Sequence, residues 1–228
     1  MQHPIFIVGH RQGIGRALTE LLLSQGHSVI GLSRGACDLD HPGLTSLEHD
    51  VRELRMEDLP SALSGLVYAP GSINLKPFKS LKEQDFLEDF SVNALGAVHA
   101  CQVAEKALKA GQGSVLLFST VAVGQGMPFH ASIAMAKGAV EGLTRSLAAE
   151  WAPHVRVNCI APSLTDTPLA AKLLGNEARA SAAAERHPLK RVGTVADIAE
   201  IACTLLRSTW ISGEVMGVNG GMGRLRTA

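Results

Sequence analysis

The chain predicts an α/β fold, a doubly wound and mostly parallel seven-stranded sheet with helices on both faces, and two observations carry that prediction. Short apolar runs alternate with longer segments of helical periodicity along the 228 residues, the order expected when each strand returns to the sheet through a covering helix. A glycine cluster, Gly9-His10-Arg11-Gln12-Gly13-Ile14-Gly15, follows the first apolar run directly and opens the first periodic segment.

The elements follow in order. Ile5 to Val8 form the first strand, and Leu18, Leu21 and Leu22 mark the buried stripe of a helix beginning near Gly13. Ser28 to Ser33 read as strand two and Leu44 to Glu48 as a weak strand three. Leu66 to Ala69, Ser114 to Ser119, Val155 to Ala161 and Glu214 to Val218 complete the sheet. A long helix is predicted over Phe86 to Leu108, and another from about Ser132 to Trp151. Both carry small residues on several faces (Ala94, Gly96, Ala97, Ala100; Ala136, Gly138, Ala139, Gly142), which permits close helix contact. Gly35 to Pro60 is short for a strand, a helix and a return. Leu169 to His187 is alanine-rich and polar, with Ala170, Leu173, Leu174, Ala178 and Ala182 suggesting an apolar inner face.

The bulk numbers exclude several classes. A hydrophobic content of 46% with 18% charged residues describes a globular chain, and the length suits a single domain over 1–228. The formal charge is zero with no run of like charges, which argues against nucleic acid or an anionic membrane as partner. No apolar run approaches a membrane span. The opening Met1-Gln2-His3-Pro4 has no basic leader, so a cytoplasmic protein is expected. Cys37, Cys101, Cys159 and Cys203 are widely spaced and read as buried free thiols. The nine histidines show no metal-ligand spacing, so no metal site is expected.

The glycine cluster has the form G-x-x-x-G-x-G between a strand and a helix. Glycines Gly9, Gly13 and Gly15 let the backbone turn tightly and approach a pyrophosphate closely, while the helix offers free N–H groups around Arg11, Gln12 and Ile14. At the end of strand two, a carboxylate suits the ribose hydroxyl of NAD(H) and a cation suits the 2′-phosphate of NADP(H). Here Ser33 and Arg34 stand at that position, with Arg11 as a second cation. Asp38 and Asp40 follow closely, and a loop returning either of them would favour NAD(H). NADP(H) is the preferred cofactor over NAD(H).

Further motifs lie in sequence order. They are Ser91-Val92-Asn93-Ala94, Ser119-Thr120, Ala131 to Lys137 with its continuation Gly138 to Thr144, Pro162-Ser163 with Thr165 and Thr167, and Val218-Asn219-Gly220-Gly221. Together with the glycine loop they resemble the short-chain dehydrogenase/reductase family over nearly the whole chain. The resemblance implies a Rossmann-type domain. It implies adenine beside Asp50 and Val51, ribose beside Ala69 and Gly71, and a carboxamide near Pro162, Ser163, Thr165 and Thr167. It places Thr120 at the carbonyl-polarising serine, with Ser119 as its neighbour, and Asn93 at the mid-helix asparagine that kinks the helix and holds a water. Lys137 matches the lysine that binds the ribose hydroxyls and lowers the pKa of a tyrosine. That tyrosine position holds Ile133. His130 falls where the enoyl reductase branch of the family has its tyrosine, and is a candidate proton donor. Val8, Tyr68 and Ser163 are further departures, and the connection around strand three is trimmed.

The resemblance also implies a substrate lid at about 164–190 and a small-molecule substrate. It implies a homodimer or homotetramer through the helices at about 86–108 and 132–151. The function implied is hydride transfer between nicotinamide and a carbonyl, imine or activated double bond, with weakened or non-standard proton transfer. Ile133 keeps open a second reading, a non-catalytic NADP(H)-binding sensor or scaffold.

Overall fold

The computed structural model describes residues 1–225, so the last three residues of the predicted 1–228 domain lie outside it. The chain order is β1 (Ile5–Val8), α1 (Gly13–Ser24), β2 (Val29–Ser33), β3 (Leu44–Glu48), β4 (Gly65–Tyr68), α2 (Glu83–Phe90), α3 (Gly96–Ala110) and β5 (Ser114–Phe118). It continues through α4 (Val121–Gln125), α5 (Ala131–Trp151), β6 (Arg156–Pro162), α6 (Glu177–Glu185), α7 (Val195–Arg207) and β7 (Val215–Val218). The strands form one sheet in the order β3-β2-β1-β4-β5-β6-β7. Every neighbouring pair is parallel. β1 lies between β2 and β4, so the chain winds outward from it in both directions. This is the switch point at which a doubly wound sheet opens a crevice beyond its strand ends.

Alternation along β1 sends Phe6 and Val8 into one core and Ile5 and Ile7 into the other, because side chains in a strand point to opposite faces. The first core is closed by Ala97, Ala100 and Ala104 of α3 and Val140 of α5. Leu18 and Leu22 of α1 and Ile198, Ala202 and Leu205 of α7 close the second. With both faces covered, the four β1 residues are all buried, which is why the strand is a continuous apolar run.

The predicted long helix differs in one respect. It starts earlier, and α2 and α3 are joined by a π-helical turn at Ser91–Leu95. Two side chains account for the turn. Asn93 Nδ2 donates to Asp89 O at 2.7 Å, and Tyr68 donates its hydroxyl to Val92 O at 2.6 Å. These carbonyls are thereby satisfied outside the regular helical ladder. Gly96 completes the arrangement, because a Cβ there would lie 2.1 Å from the Tyr68 hydroxyl.

Between β3 and β4 only two short 3₁₀ turns occur, Val51–Glu53 and Met56–Asp58, in keeping with the shortness of that stretch. The segment after β6 requires a correction. Its buried face carries Ala183 and His187, whereas Ala178 and Ala182 are exposed. Asn176 sets the helical phase by accepting from Arg179 N–H at 2.9 Å, which starts α6 at Glu177. The cysteine expectation is also adjusted: all four are free and three are buried, but Cys37 is only partly covered. Among the described residues no helix is long and apolar enough to cross a membrane.

Candidate active site

A crevice of about 600 Å³ opens at the switch point between β1 and β4. Its floor is the glycine loop. Gly9 and Gly13 adopt φ of +86° and +59°, a region that side chains with a Cβ rarely enter. A Cβ on Gly15 would lie 2.2 Å from Gly9 O. Gln12, the N-cap of α1, gives no side-chain cap, and the first turn holds no acidic residue. The N–H groups at this helix start are therefore free for an anion. The loop fits a dinucleotide pyrophosphate by backbone alone.

Of the residues predicted from sequence, Gly9, Arg11, Gln12, Gly13, Ile14, Gly15, Ser33, Arg34, Asp50, Val51, Ala69, Gly71 and Thr167 line this crevice. Ser91, from the Ser91-Val92-Asn93-Ala94 motif, also lines it, as do His49, Arg52 and Leu169, which carry no motif that would mark them. At the β2 end, Ser33 donates to Gly35 O at 2.8 Å. The Arg11 guanidinium lies 3.3 Å from the point where a Cβ on Gly35 would stand. Asp38 is held by Arg16 in an ion pair, and Arg16 also binds Glu20 at 2.7 Å. Asp50 accepts from Arg52 N–H at 3.0 Å, and that bond holds its carboxyl below the usual range. His10 turns away from the crevice. Its ring is buried, Nε2 pairs with Ser46 Oγ at 3.2 Å, and a Cβ on Gly31 would lie 2.3 Å from its Cγ.

The opposite end of the site is built from side chains. Helix α5 buries Ile133, Ala136, Lys137, Val140 and Thr144, the spacing of one helical face. Burial pulls the Lys137 amine down to about 8. Ile133, one turn earlier, is 5% exposed and presents only hydrocarbon. Asn93 and Lys137 both flank Gly71, since a Cβ there would stand 3.3 Å from Asn93 Oδ1 and 3.7 Å from Lys137 Nζ. Asn93 Nδ2 donates to Ser72 Oγ at 2.8 Å.

The two hydroxyls after β5 are distinguished by their partners. Ser119 donates its proton to Glu141 Oε1 at 2.7 Å, so it has none to offer a ligand. Thr120 accepts from Ala122 N–H at 3.3 Å as the N-cap of α4, which leaves its own O–H free to donate. His130 lies at the start of α5, and its Nδ1 donates to Pro128 O at 2.7 Å. It stands about two helical turns before Lys137, and none of its hydrogen bonds joins it to Thr120 or Lys137.

Pro162, Ser163 and Thr165 shape the chain beyond β6. Pro162 pairs with Val218 in the sheet. Thr165 donates to Ser163 O at 3.1 Å and bridges to Gly193. Buried His187 bonds Ala183 O through Nδ1 at 2.8 Å. That bond requires a proton on Nδ1, so Nε2 accepts from Ser163 Oγ, also at 2.8 Å. No cluster of metal-ligating side chains occurs among the described residues.

A doubly wound parallel sheet with a glycine-lined crevice at its switch point is the architecture of the dinucleotide-binding oxidoreductases. Residues 8–223 match the family model described as Enoyl-(Acyl carrier protein) reductase. A tropinone reductase homolog of Arabidopsis thaliana is 33% identical, the alignment covering 94% of this chain and 90% of the relative. Carbonyl reductase family member 4 of Danio rerio is 31% identical over 97% of this chain and 98% of the relative. The ligand-free aldohexose dehydrogenase of Thermoplasma acidophilum superposes with a TM-score of 0.87 at 25% identity, covering 99% of this chain and 97% of that one. The chain belongs to the short-chain dehydrogenase/reductase family. It is accordingly an NAD(P)-dependent oxidoreductase with a Rossmann fold.

Proposed function

We propose that the protein is an NADP(H)-dependent oxidoreductase that moves hydride between nicotinamide and a carbonyl, imine or activated double bond, with proton transfer that uses no tyrosine. The reading is carried by the placement of Lys137 close behind Gly71, a residue that lines the same crevice as Arg11 and Arg34. The cofactor supplies the hydride chemistry when bound, and the chain supplies position and charge. The loop from Gly9 to Gly15 holds the pyrophosphate. Arg34 and Arg11 bind the 2′-phosphate, with Ser33 lining the same part of the crevice, a choice supported by the engagement of Asp38 with Arg16. Asp50 and Val51 flank adenine, and Ala69 and Gly71 leave room for ribose.

Lys137 binds the ribose hydroxyls, and Thr120 donates its free O–H to the acceptor oxygen. Pro162, Ser163, Thr165 and Thr167 frame the carboxamide. The segment at about 164–190 is the substrate lid, anchored where His187 accepts from Ser163. The substrate is a small molecule. Copies of the chain pair through α2–α3 and α5 into a homodimer or homotetramer, a proposal supported by the exposed Leu87, Leu95 and Met135 on those helices. The four free thiols suit the cytoplasm.

The test is a fluorescence titration with NADPH and NADH, followed by absorbance assays with quinones, α-diketones, imines and enones. Tighter binding of NADPH and turnover of at least one acceptor are expected. Tighter NADH binding would overturn the Arg34 assignment. Binding without turnover on any acceptor would replace the redox reading with that of a cofactor-responsive sensor or scaffold. His130 is tested as a second donor by His130→Ala, which leaves the rate unchanged if its bond to Pro128 keeps it out of the chemistry.

A further inference from the structure

A buried carboxylate stands behind Lys137. Asp89 of α2 is 2% exposed, and its Oδ2 has no hydrogen-bond partner. Its Oδ1 accepts from Ser72 Oγ at 2.6 Å, and Ser72 Oγ in turn accepts from Asn93 Nδ2. Asn93 Oδ1 and Lys137 Nζ each lie within 4 Å of the point where a Cβ on Gly71 would stand. A hydrogen-bonded path thus runs from Asp89 through Ser72 to Asn93, and Asn93 and Lys137 flank the same glycine. Desolvating a carboxylate with one oxygen unpaired is costly unless a nearby charge compensates. Lys137 is the buried cation available: it makes no salt bridge of its own among the described residues, and Asp89 acts on it through space.

We propose that Lys137 itself donates the proton that the missing tyrosine would have supplied, and that Asp89 is the positioning residue that keeps this lysine charged. The proposal rests on the oxidoreductase reading above. In reduction of a carbonyl acceptor, hydride arrives at the carbonyl carbon and the C=O π pair moves onto oxygen. That oxygen takes a proton from the Lys137 ammonium, directly or through one water, as the N–H bond breaks and the O–H bond forms. The acceptor gains two electrons and the reduced nicotinamide loses two. Lys137 is left as a neutral amine and regains a proton from solvent.

The electrostatics are consistent with this role. Burial is the largest influence on Lys137 and lowers its pKa, while Cys159 and then Asp89 oppose that effect. Burial pushes the Cys159 thiol up to about 12, so it is neutral at working pH and Asp89 supplies the charge. Glu141, one turn along α5, is engaged by Ser119, and Asp85 on α2 by Lys76 at 2.6 Å. With a pKa near 8, Lys137 is both sufficiently charged and sufficiently acidic to work near neutral pH. An ordinary exposed lysine would hold its proton too tightly.

The experiment uses the full chain with two readouts. One is the titration of Lys137 in the cofactor-free protein, followed by NMR of ¹⁵Nζ-labelled lysine and assigned by the signal that K137R removes. The other is the pH dependence of kcat/KM for an acceptor found in the panel. Reduction is expected to fall as pH rises through the lysine pKa, because the ammonium is the donor. Asp89→Asn should move both the titration and the falling limb about one unit toward lower pH, a loss of about fivefold in rate at pH 8. Asp89→Glu should restore part of the shift, and Ser72→Ala should produce a smaller one. Glu88→Gln, exposed on the same helix, should leave both curves in place.

An unmoved Lys137 titration in Asp89→Asn would overturn the role of Asp89. A titration that moves while the rate limb stays fixed would overturn Lys137 as donor. Should Asp89→Asn not fold, Ser72→Ala decides by the same two curves. An unmodified protein that reduces no acceptor would remove the redox reading and the donor role together, and the lysine titration would still decide whether Asp89 sets the charge of Lys137.

Discussion

The two halves of the candidate site are made of different materials. At the glycine loop, the surface offered to a ligand is backbone: positive-φ glycines, free helix N–H groups and a Gly15 that tolerates no Cβ. At the Lys137 end the surface is a handful of side chains on α5, on the π-helical turn and after β5. A backbone-built site survives most substitutions and fails only where a glycine is lost. A side-chain site can lose its chemistry through a single exchange without disturbing the fold. Ile133 illustrates the second case, since it packs on the buried face of α5 as well as any apolar residue would.

Four substitutions break or sharpen that contrast. The largest effect belongs to the side-chain end: Lys137→Met should reduce turnover by about 1000-fold, within the range for a positioned acid, with little change in thermal stability. Next comes the backbone end. Gly15→Val places side-chain carbon against Gly9 O; at the upper end of overpacking costs, ~3 kcal/mol, calorimetry should show NADPH binding about 100-fold weaker and a lowered Tm. Ile133→Tyr runs in the opposite direction. By adding a hydroxyl acid one turn before Lys137, it should raise ketone reduction about tenfold or more in a stopped-flow assay. No gain would mean that the space beside residue 133 has closed. The smallest effect is expected at the solvent-facing cations, where Arg34→Ala should weaken NADPH by about tenfold and leave NADH unchanged, as read by competitive titration.

The same contrast explains what could be read from the chain. The strands, their order and the glycine loop were legible because each rests on local spacing: apolar runs of strand length, and glycines at fixed offsets after the first of them. A kink at Asn93 follows from the resemblance, but its π-helical form does not, because it depends on Tyr68 reaching Val92 from β4. The phase of α6 departs from the alanine pattern for a similar reason, since Asn176 and the bonds of His187 set it more firmly. Within the candidate site, Thr120 and Lys137 are proposed from their motifs, and the Ser119–Glu141 bond adds a reason to prefer Thr120 over Ser119. Asp89 was overlooked. In the polar segment Glu83 to Phe90 it looks like one more solvated acid, and only Ser72, brought in by the fold, shows where its carboxylate is held.

His10 and Gly31 carry a consequence for descent. The imidazole fills the volume that any side chain at 31 would require, so neither position can be altered freely while the other stands. A lineage leaving this arrangement must shrink residue 10 before residue 31 can grow, and a lineage entering it must have emptied 31 first. Substitutions at the two positions should therefore appear in a fixed historical order, and reconstructed ancestors with a small residue at 10 should tolerate alanine at 31 where the present protein does not.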